Sequence, residues 1–295
     1  MIGFVVNRTS GNGKGAVKWR ELEKLLQARE VAYEVRFTMH GGHAKQLAEE
    51  LAAQPGMEAV VALGGDGTLN EVASGLIGGS VPLGCVPSGS GNDFARSVGI
   101  PADAAGALSR ILEHRIQRID AGFVNGKCFV ISAGVGFDGE VARMTNAAAY
   151  KRWLNKIKLG SLSYVISVLR LLTSYKPGPV TLELDGEPHQ LQGAWLIAIA
   201  NMPYYGGGMK ICPDARFDDG QFQLCVVDGI SRLEFLKFFP QVFAGTHTRH
   251  PAIRIWNASH VRIRSERPLA IHGDGEWAGT TPADIELQAG SLLIL

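Results

Sequence analysis

The chain has 295 residues, 46% of them hydrophobic and 19% charged, with a formal net charge of +1; this suits one large or two medium globular domains and gives no global basic field for nucleic acid. Cys85, Cys128, Cys212 and Cys225 stand far apart and form no CxxC pair, which argues against structural zinc and for a reducing cytoplasm. The opening MIGFVVN lacks the basic start and apolar length of a signal peptide, and no stretch of about 18 apolar residues is free of charge, so no transmembrane helix is expected.

Ile2–Val6 reads as a strand. The next segment, NRTSGNGKG over Asn7–Gly15, resembles a phosphate loop but lacks the Ser or Thr that must follow the lysine of a Walker A motif. A GxGxxA match from Gly11 to Ala16 starts too late after the strand for a dinucleotide turn. A loop wrapping a nucleotide through Asn7, Ser10 and Gly11 fits better, with a plain glycine turn as the alternative. Apolar spacing then predicts a helix over Lys14–Glu30, a strand over Val31–Phe37, a helix over His43–Gln54 and a strand over Glu58–Leu63.

Directly after that strand, Gly64, Gly65 and Gly67 surround Asp66, and Thr68, Leu69 and Asn70 open a helix. Glycine lets a ligand approach the backbone, and a helix N-terminus favours an anion. Asp66 would repel a phosphate unless a cation lay between them, so the pattern points to a phosphate with a divalent metal. A tight turn with a capping Asp is the alternative. A strand over Val81–Pro87 leads into PSGSGNDFARS, where Ser88, Ser90 and Asn92 are short donors, Asp93 is a candidate cap and Arg96 a partner for a carboxylate or phosphate. A helix over Pro101–His114 follows. Strand–helix alternation implies a parallel sheet with ligands at the carboxyl ends of its strands.

From about Arg118 the signals are mostly strands with turns, including an Asn125-Gly126 hairpin. They predict an antiparallel sandwich or barrel, interrupted by a helical insertion at about 137–174 and a shorter helix near 231–243. The division expected is 1–120 for an α/β nucleotide-binding domain, with a return at about 281–295, and 121–280 for a β-rich domain, the active site lying in the cleft between them. PDARFDDGQF, Pro213–Phe222, is rich in carboxylates but is no EF-hand; one carboxylate with neighbouring carbonyls would hold a cation, or the segment is a capped turn. In HGDGE, His272–Glu276, an extended backbone would aim Asp274 and Glu276 the same way, for general-base or metal work, although Asp-Gly also suits a hairpin turn. The pairs His40/His43 and His247/His250 read as surface or capping residues.

Taken in order, NRTSGNGKG, GGDGTLNEV, PSGSGNDFAR, FDDGQF and HGDGE resemble the diacylglycerol kinase catalytic-domain family in its compact bacterial lipid kinase form. GGDGT is shared with NAD kinases and 6-phosphofructokinases; PSGSGNDFAR and HGDGE are more specific. The resemblance implies an ATP-dependent lipid kinase, with diacylglycerol as the first acceptor and a sphingoid base, a polyprenol, another glycerolipid or soluble NAD as alternatives. It implies ATP contacts at Asn7, Arg8, Thr9, Ser10, Gly11, Thr38, Gly64 through Asn70 (with Leu69) and Ser90. It implies Mg2+ on the ATP phosphates beside Asp66 and a structural Mg2+ at Asp219 with the carbonyls of Arg216 and Gln221. Glu276 is then the general base, with Asp274 close by. Arg8 stands where the family usually has Pro, and Ser90 where Thr is commoner. The basic amphipathic stretch Tyr150–Arg170 is the expected contact with a membrane, which makes the protein cytoplasmic and peripheral at the inner membrane face. A homodimer stays open, and so do a nucleotide-binding regulatory module and a Rossmann oxidoreductase.

Overall fold

The computed structural model describes residues 1–147 and 168–295. The chain divides into two compact units, residues 1–119 with 290–295, and residues 120–289.

In the first unit, strands β1 (Ile2–Val6), β2 (Tyr33–Phe37), β3 (Ala59–Gly64) and β4 (Leu83–Pro87) form a parallel sheet in the order β4-β3-β1-β2. Every residue of β1, β3 and β4 is buried, as the continuous apolar runs require of strands covered on both faces. Helix α1 (Ser10–Ala28) buries Trp19, Leu22 and Leu26. Trp19 meets the rings of Phe4, Tyr33 and Phe37 at 5.5, 5.9 and 6.2 Å. Helix α2 (His43–Ala52) buries Ala44, Leu47, Ala48 and Leu51, and α3 (Asp66–Leu76) buries Leu69, Val72, Ala73 and Leu76, both the one-sided stripe of an amphipathic helix. Helix α4 (Asp93–Ser97) is short, and α5 (Ala104–Leu112) is capped by the preceding Asp103, whose carboxylate accepts the Gly106 N–H at 2.8 Å.

Because β2 lies on one side of β1 and β3 on the other, the strand order reverses between β1 and β3. Such a reversal opens a crevice outside the carboxyl ends of the strands. Asn7 follows β1, and Gly64 to Asp66 follow β3, so both expected phosphate loops begin there.

The second unit is antiparallel. β5 (Gln117–Val124) and β6 (Lys127–Phe129) are joined by Asn125 and Gly126, at φ +50° and +75°, the doubly left-handed hairpin turn that the Asn-Gly pair favours. β7 (Ser132–Gly136) leads into α6 (Phe137–Ala147). The predicted insertion is helical at Phe137–Ala147 and at 168–174, and its middle lies outside the described residues. β8 (Gly178–Leu184) pairs with the first half of β9 (Glu187–Ala200), while the last half of β9 lies between β7 and β10 (Phe222–Asp228). One long strand thus pairs with three others along its length. β11 (Ile253–Ala258) flanks β10, β12 (His260–Ser265) joins β8 to β15 (Ala283–Ile294), and β13 (Ala270–Gly273) pairs with β7 and β14 (Glu276–Thr280). These strands enclose a core in which Phe129 and Phe222 stack at 5.5 Å among Ile197, Ile199, Leu182, Val261 and Ile285. The shorter helix expected near 231–243 is two helices, Arg232–Phe238 and Gln241–Ala244. No described helix is long and apolar enough to cross a membrane.

Candidate active site

In the first unit three loops meet. Ser10 counts as the first residue of α1, yet Gly11, Asn12 and Gly13 have φ of +56°, +60° and +87°. The regular helix therefore starts near Lys14, and the preceding residues form a left-handed loop. Asn7 is the hub. Its Oδ1 accepts the Thr9 N–H at 3.1 Å and the Thr9 hydroxyl at 2.9 Å, and its Nδ2 donates to Thr68 Oγ1 at 3.0 Å. Ser10 Oγ donates to the Asn7 carbonyl at 2.9 Å and lies 2.6 Å from Ser88 Oγ.

Glycine is required at these contacts because backbone touches backbone. A Cβ on Gly11 would sit 2.1 Å from the Ser88 carbonyl oxygen, and one on Gly89 would sit 2.5 Å from Gly65 Cα. Asp66 opens α3, and its Oδ1 accepts the Phe94 N–H at 3.2 Å. Asn92 closes the Ser88–Asn92 turn by accepting the Gly89 N–H at 2.8 Å. The Arg8 guanidinium lies over the Phe37 ring at 4.7 Å, and the Thr38 N–H donates to the Val6 carbonyl at 3.0 Å. Lys18 donates to the carbonyls of Pro87 and Ala102; its burial lowers its pKa. Arg96 pairs with Asp93 at 2.5 Å. The residue before α4 is Asn92, so Asp93 does not serve as the cap of that helix.

The second unit holds the late carboxylates, and they do not point the same way. Asp274 and Gly275 have φ of +49° and +81°. This left-handed turn replaces the extended backbone that the two-residue spacing suggests. Asp274 accepts backbone N–H groups of Val130, Ile131 and Ser132 at 2.8, 3.0 and 2.9 Å. Glu276 is exposed and lines a cavity of about 370 Å³ with Gly139, Ala142, Arg143, Ile271, His272 and Trp277. His272 Nε2 lies 2.9 Å from Asp138 Oδ2, both side chains buried.

Around the expected structural metal, Asp219 is exposed and its Oδ1 accepts the Gln221 N–H at 3.1 Å, while the Arg216 guanidinium lies 3.4 Å from Asp218. The buried Asp120 ties this loop down, accepting the Gly220 N–H at 2.8 Å and donating its own N–H to the Phe217 carbonyl at 2.7 Å. The carboxylates and carbonyls here are hard oxygen donors, the set Mg2+ prefers.

Sequence reasoning assigns no role to Asp120, Asp138 or His272, although RIDAG, GFDGE and HGDGE each carry a charged or titratable group within a strand or just after one. His247 is fully buried, not on the surface; its Nε2 lies 3.0 Å from the Ile211 carbonyl. The His40/His43 rings stack at 4.9 Å on the exterior.

Residues 1–124 match the diacylglycerol kinase catalytic domain, and residues 130–295 match the YegS C-terminal NAD kinase beta sandwich-like domain. The chain is 32% identical over 263 residues to a diacylglycerol kinase of Mycobacterium tuberculosis (strain ATCC 25618 / H37Rv), covering 86% of this chain and 82% of that protein. It is 31% identical over 288 residues to a diacylglycerol kinase of Bacillus subtilis (strain 168), covering 95% and 91%. A solved structure from Bacillus anthracis str. Sterne is similar over 99% of this chain and 94% of that one, with a TM-score of 0.82 and 26% identity.

Proposed function

Because the chain belongs to the diacylglycerol kinase family, and is thereby a phosphotransferase that uses ATP, we propose that it transfers the γ-phosphate of ATP to the free hydroxyl of diacylglycerol, giving phosphatidic acid. The observation that carries this reading is the meeting of the Asn7–Gly13, Gly64–Asn70 and Ser88–Asn92 loops through Asn7, Thr68, Ser10 and Ser88. Backbone N–H groups at a helix start and a strand-order reversal suit a polyphosphate. The names of relatives that cover nearly all of the chain support the lipid acceptor.

Phosphoryl transfer asks the protein mainly to position and to stabilise charge. Asn7 to Gly11, Thr38, Gly64 to Asn70 and Ser90 bind and orient the nucleotide. The glycines admit phosphate oxygens to the backbone, and Arg8 holds the loop edge against Phe37. Bound Mg2+ would neutralise charge on the phosphates; Asp66 would hold that ion, and Asp219 with the carbonyls of Arg216 and Gln221 would hold a structural one. Glu276 accepts the proton of the attacking hydroxyl, and Asp274 fixes the turn that carries it. The exposure of Glu276 beside a cavity leaves room for an acceptor. The protein works peripherally at the inner membrane face, through the basic stretch Tyr150–Arg170, most of which lies outside the described residues.

The test is incubation with labelled ATP and Mg2+ against mixed micelles of diacylglycerol, a sphingoid base, a polyprenol or another glycerolipid, and against soluble NAD. Label in phosphatidic acid at the highest kcat/KM is expected. Preferred labelling of another acceptor overturns diacylglycerol, and ATP binding without transfer to any of them overturns the enzyme.

A further inference from the structure

We propose that His272 and Asp138 form a buried positioning couple that sets the direction of Glu276. The inference rests on the reading of Glu276 as the base.

His272 is 4% and Asp138 2% exposed, so neither meets bulk solvent. The two ring nitrogens of His272 have different work. Nδ1 receives the Gly275 N–H at 3.2 Å, so it carries no proton. Nε2 therefore carries the ring hydrogen and donates it to Asp138 Oδ2 at 2.9 Å. Asp138 belongs to the first turn of α6 and His272 to β13, so the couple fastens a helix start to the strand leading into the Asp274-Gly275-Glu276 turn.

Space is cleared for this contact. A Cβ on Gly134 would lie 2.2 Å from Asp138 Oδ2 and 2.4 Å from His272 Nε2, and a Cβ on Gly139 would lie 2.1 Å from the Ala270 carbonyl oxygen. An apolar pair would join α6 to β13 without desolvating a carboxylate. What the polar pair adds is direction: one imidazole fixes a carboxylate on one side and the Gly275 amide on the other. Gly275 immediately precedes Glu276, and His272 and Glu276 line the same cavity. With Asp274 bound to the 130–132 backbone, the turn is gripped on both sides of its left-handed bend. His272 and Asp138 thus act through Glu276 as positioning residues, within the tolerance of about 1 Å that catalysis allows.

The experiment compares His272→Asn, His272→Gln and Asp138→Asn with the parent chain, under ATP, Mg2+ and diacylglycerol micelles. Asn places its amide near the position of Nδ1 and can still receive the Gly275 N–H; Gln reaches toward Asp138 but not Gly275. In His272→Gln, kcat should fall by about 10²-fold with KM for ATP unchanged; His272→Asn, which keeps the Gly275 contact but not the Asp138 one, should recover part of that loss, and Asp138→Asn, whose amide oxygen can still accept the Nε2–H, should lose less than His272→Gln. The double variant His272→Gln/Glu276→Gln should be no slower than Glu276→Gln alone. Equal losses in His272→Asn and His272→Gln, or full additivity in the double variant, overturn the proposal. Hydrogen exchange reads the same contact without activity. The Gly275 amide should exchange about fivefold faster or more in His272→Gln, the worth of one hydrogen bond, and unchanged protection there overturns the couple. If Glu276→Gln remains active while Gly275 exchange responds as expected, the general-base reading has failed and the contact stands.

Discussion

Asp274 holds Ser132 from both directions: its Oδ1 accepts the Ser132 N–H at 2.9 Å, and its own N–H donates to the Ser132 carbonyl at 2.9 Å. With Val130 and Ile131 bonded to the same carboxylate, Asp274 is a bracket for the β6–β7 connection. Asp274→Ala leaves backbone donors without their acceptor and should cost about 3 kcal/mol or more of stability. Urea unfolding checks this; a midpoint within error of the parent would show that the bracket is dispensable.

Glu276 is exposed at the first position of β14, and its replacement should spare the fold. Glu276→Gln keeps the shape and removes the base, so kcat should drop by roughly 10²- to 10⁴-fold. The melting temperature and KM for ATP should stay near the parent values. Near-parent turnover in this variant would move the base elsewhere.

Gly11 presses against the Ser88 carbonyl at φ +56°, so Gly11→Ala must push the Asn7–Gly13 loop away from the Ser88–Asn92 loop. KM for ATP should rise about tenfold or more, while KM for the lipid holds. Asp66→Ala in the same assay should nearly abolish turnover at every Mg2+ concentration. A magnesium titration of both variants separates a displaced loop from a lost ion ligand, and normal activity of Asp66→Ala at limiting magnesium would remove Asp66 from the site.

Lys151, Arg152, Lys156 and Lys158 should draw the protein to anionic lipid. Neutralising them together should weaken vesicle binding by about 1 kcal/mol per residue near the surface, and high salt should imitate the change. Sedimentation with phosphatidylserine vesicles at low salt is the measurement; unchanged binding would leave the stretch as ordinary solvated surface.

Burial lowers the pKa of His247 below its usual 6.5, because the charged ring would lose its water. The unfolded chain protonates this ring first as pH falls, so the contribution to stability is complete above about 6.5 and is lost as pH falls toward the lowered native value. His247→Gln should flatten that acid slope relative to the parent in chemical unfolding between neutral and mildly acidic pH. Parallel slopes would show that the ring does not titrate differently on folding.

The parallel sheet was legible because β1 and β3 are unbroken apolar runs, and the regular start of α1 near Lys14 because glycines precede it. The sandwich was legible through Asn125-Gly126 and the strand-and-turn rhythm after it. Other features depend on partners the local sequence does not reveal. Asp138 meets His272 across 134 positions, and Asp120 meets Gly220 across 100. Asp274 and Glu276 diverge because the positive φ at Asp274 cancels the two-residue alternation of a strand. His247 sits in a polar stretch, THTRH, that reads as surface, and only the Ile211 carbonyl and the apolar groups around it explain its burial. The glycines around Asp66 and the helix start behind them point to a phosphate with a cation from the residues alone, while the choice of Glu276 as base and the ligands of a structural Mg2+ rest on the family resemblance, which names residues without giving their directions.

The last six residues of the chain, Gly290–Leu295, belong to the first unit. There the Leu295 N–H reaches the Leu83 carbonyl at 3.0 Å, and Ser291 receives the Gly78 N–H at 2.8 Å. On the ribosome, the flank of β4 therefore waits uncovered while the whole intervening unit is translated. An open strand edge of that kind invites pairing with a neighbouring nascent chain. Codon changes that slow the ribosome between 120 and 289 should then lower soluble yield without altering the purified protein, a liability of biosynthesis that no equilibrium measurement would register.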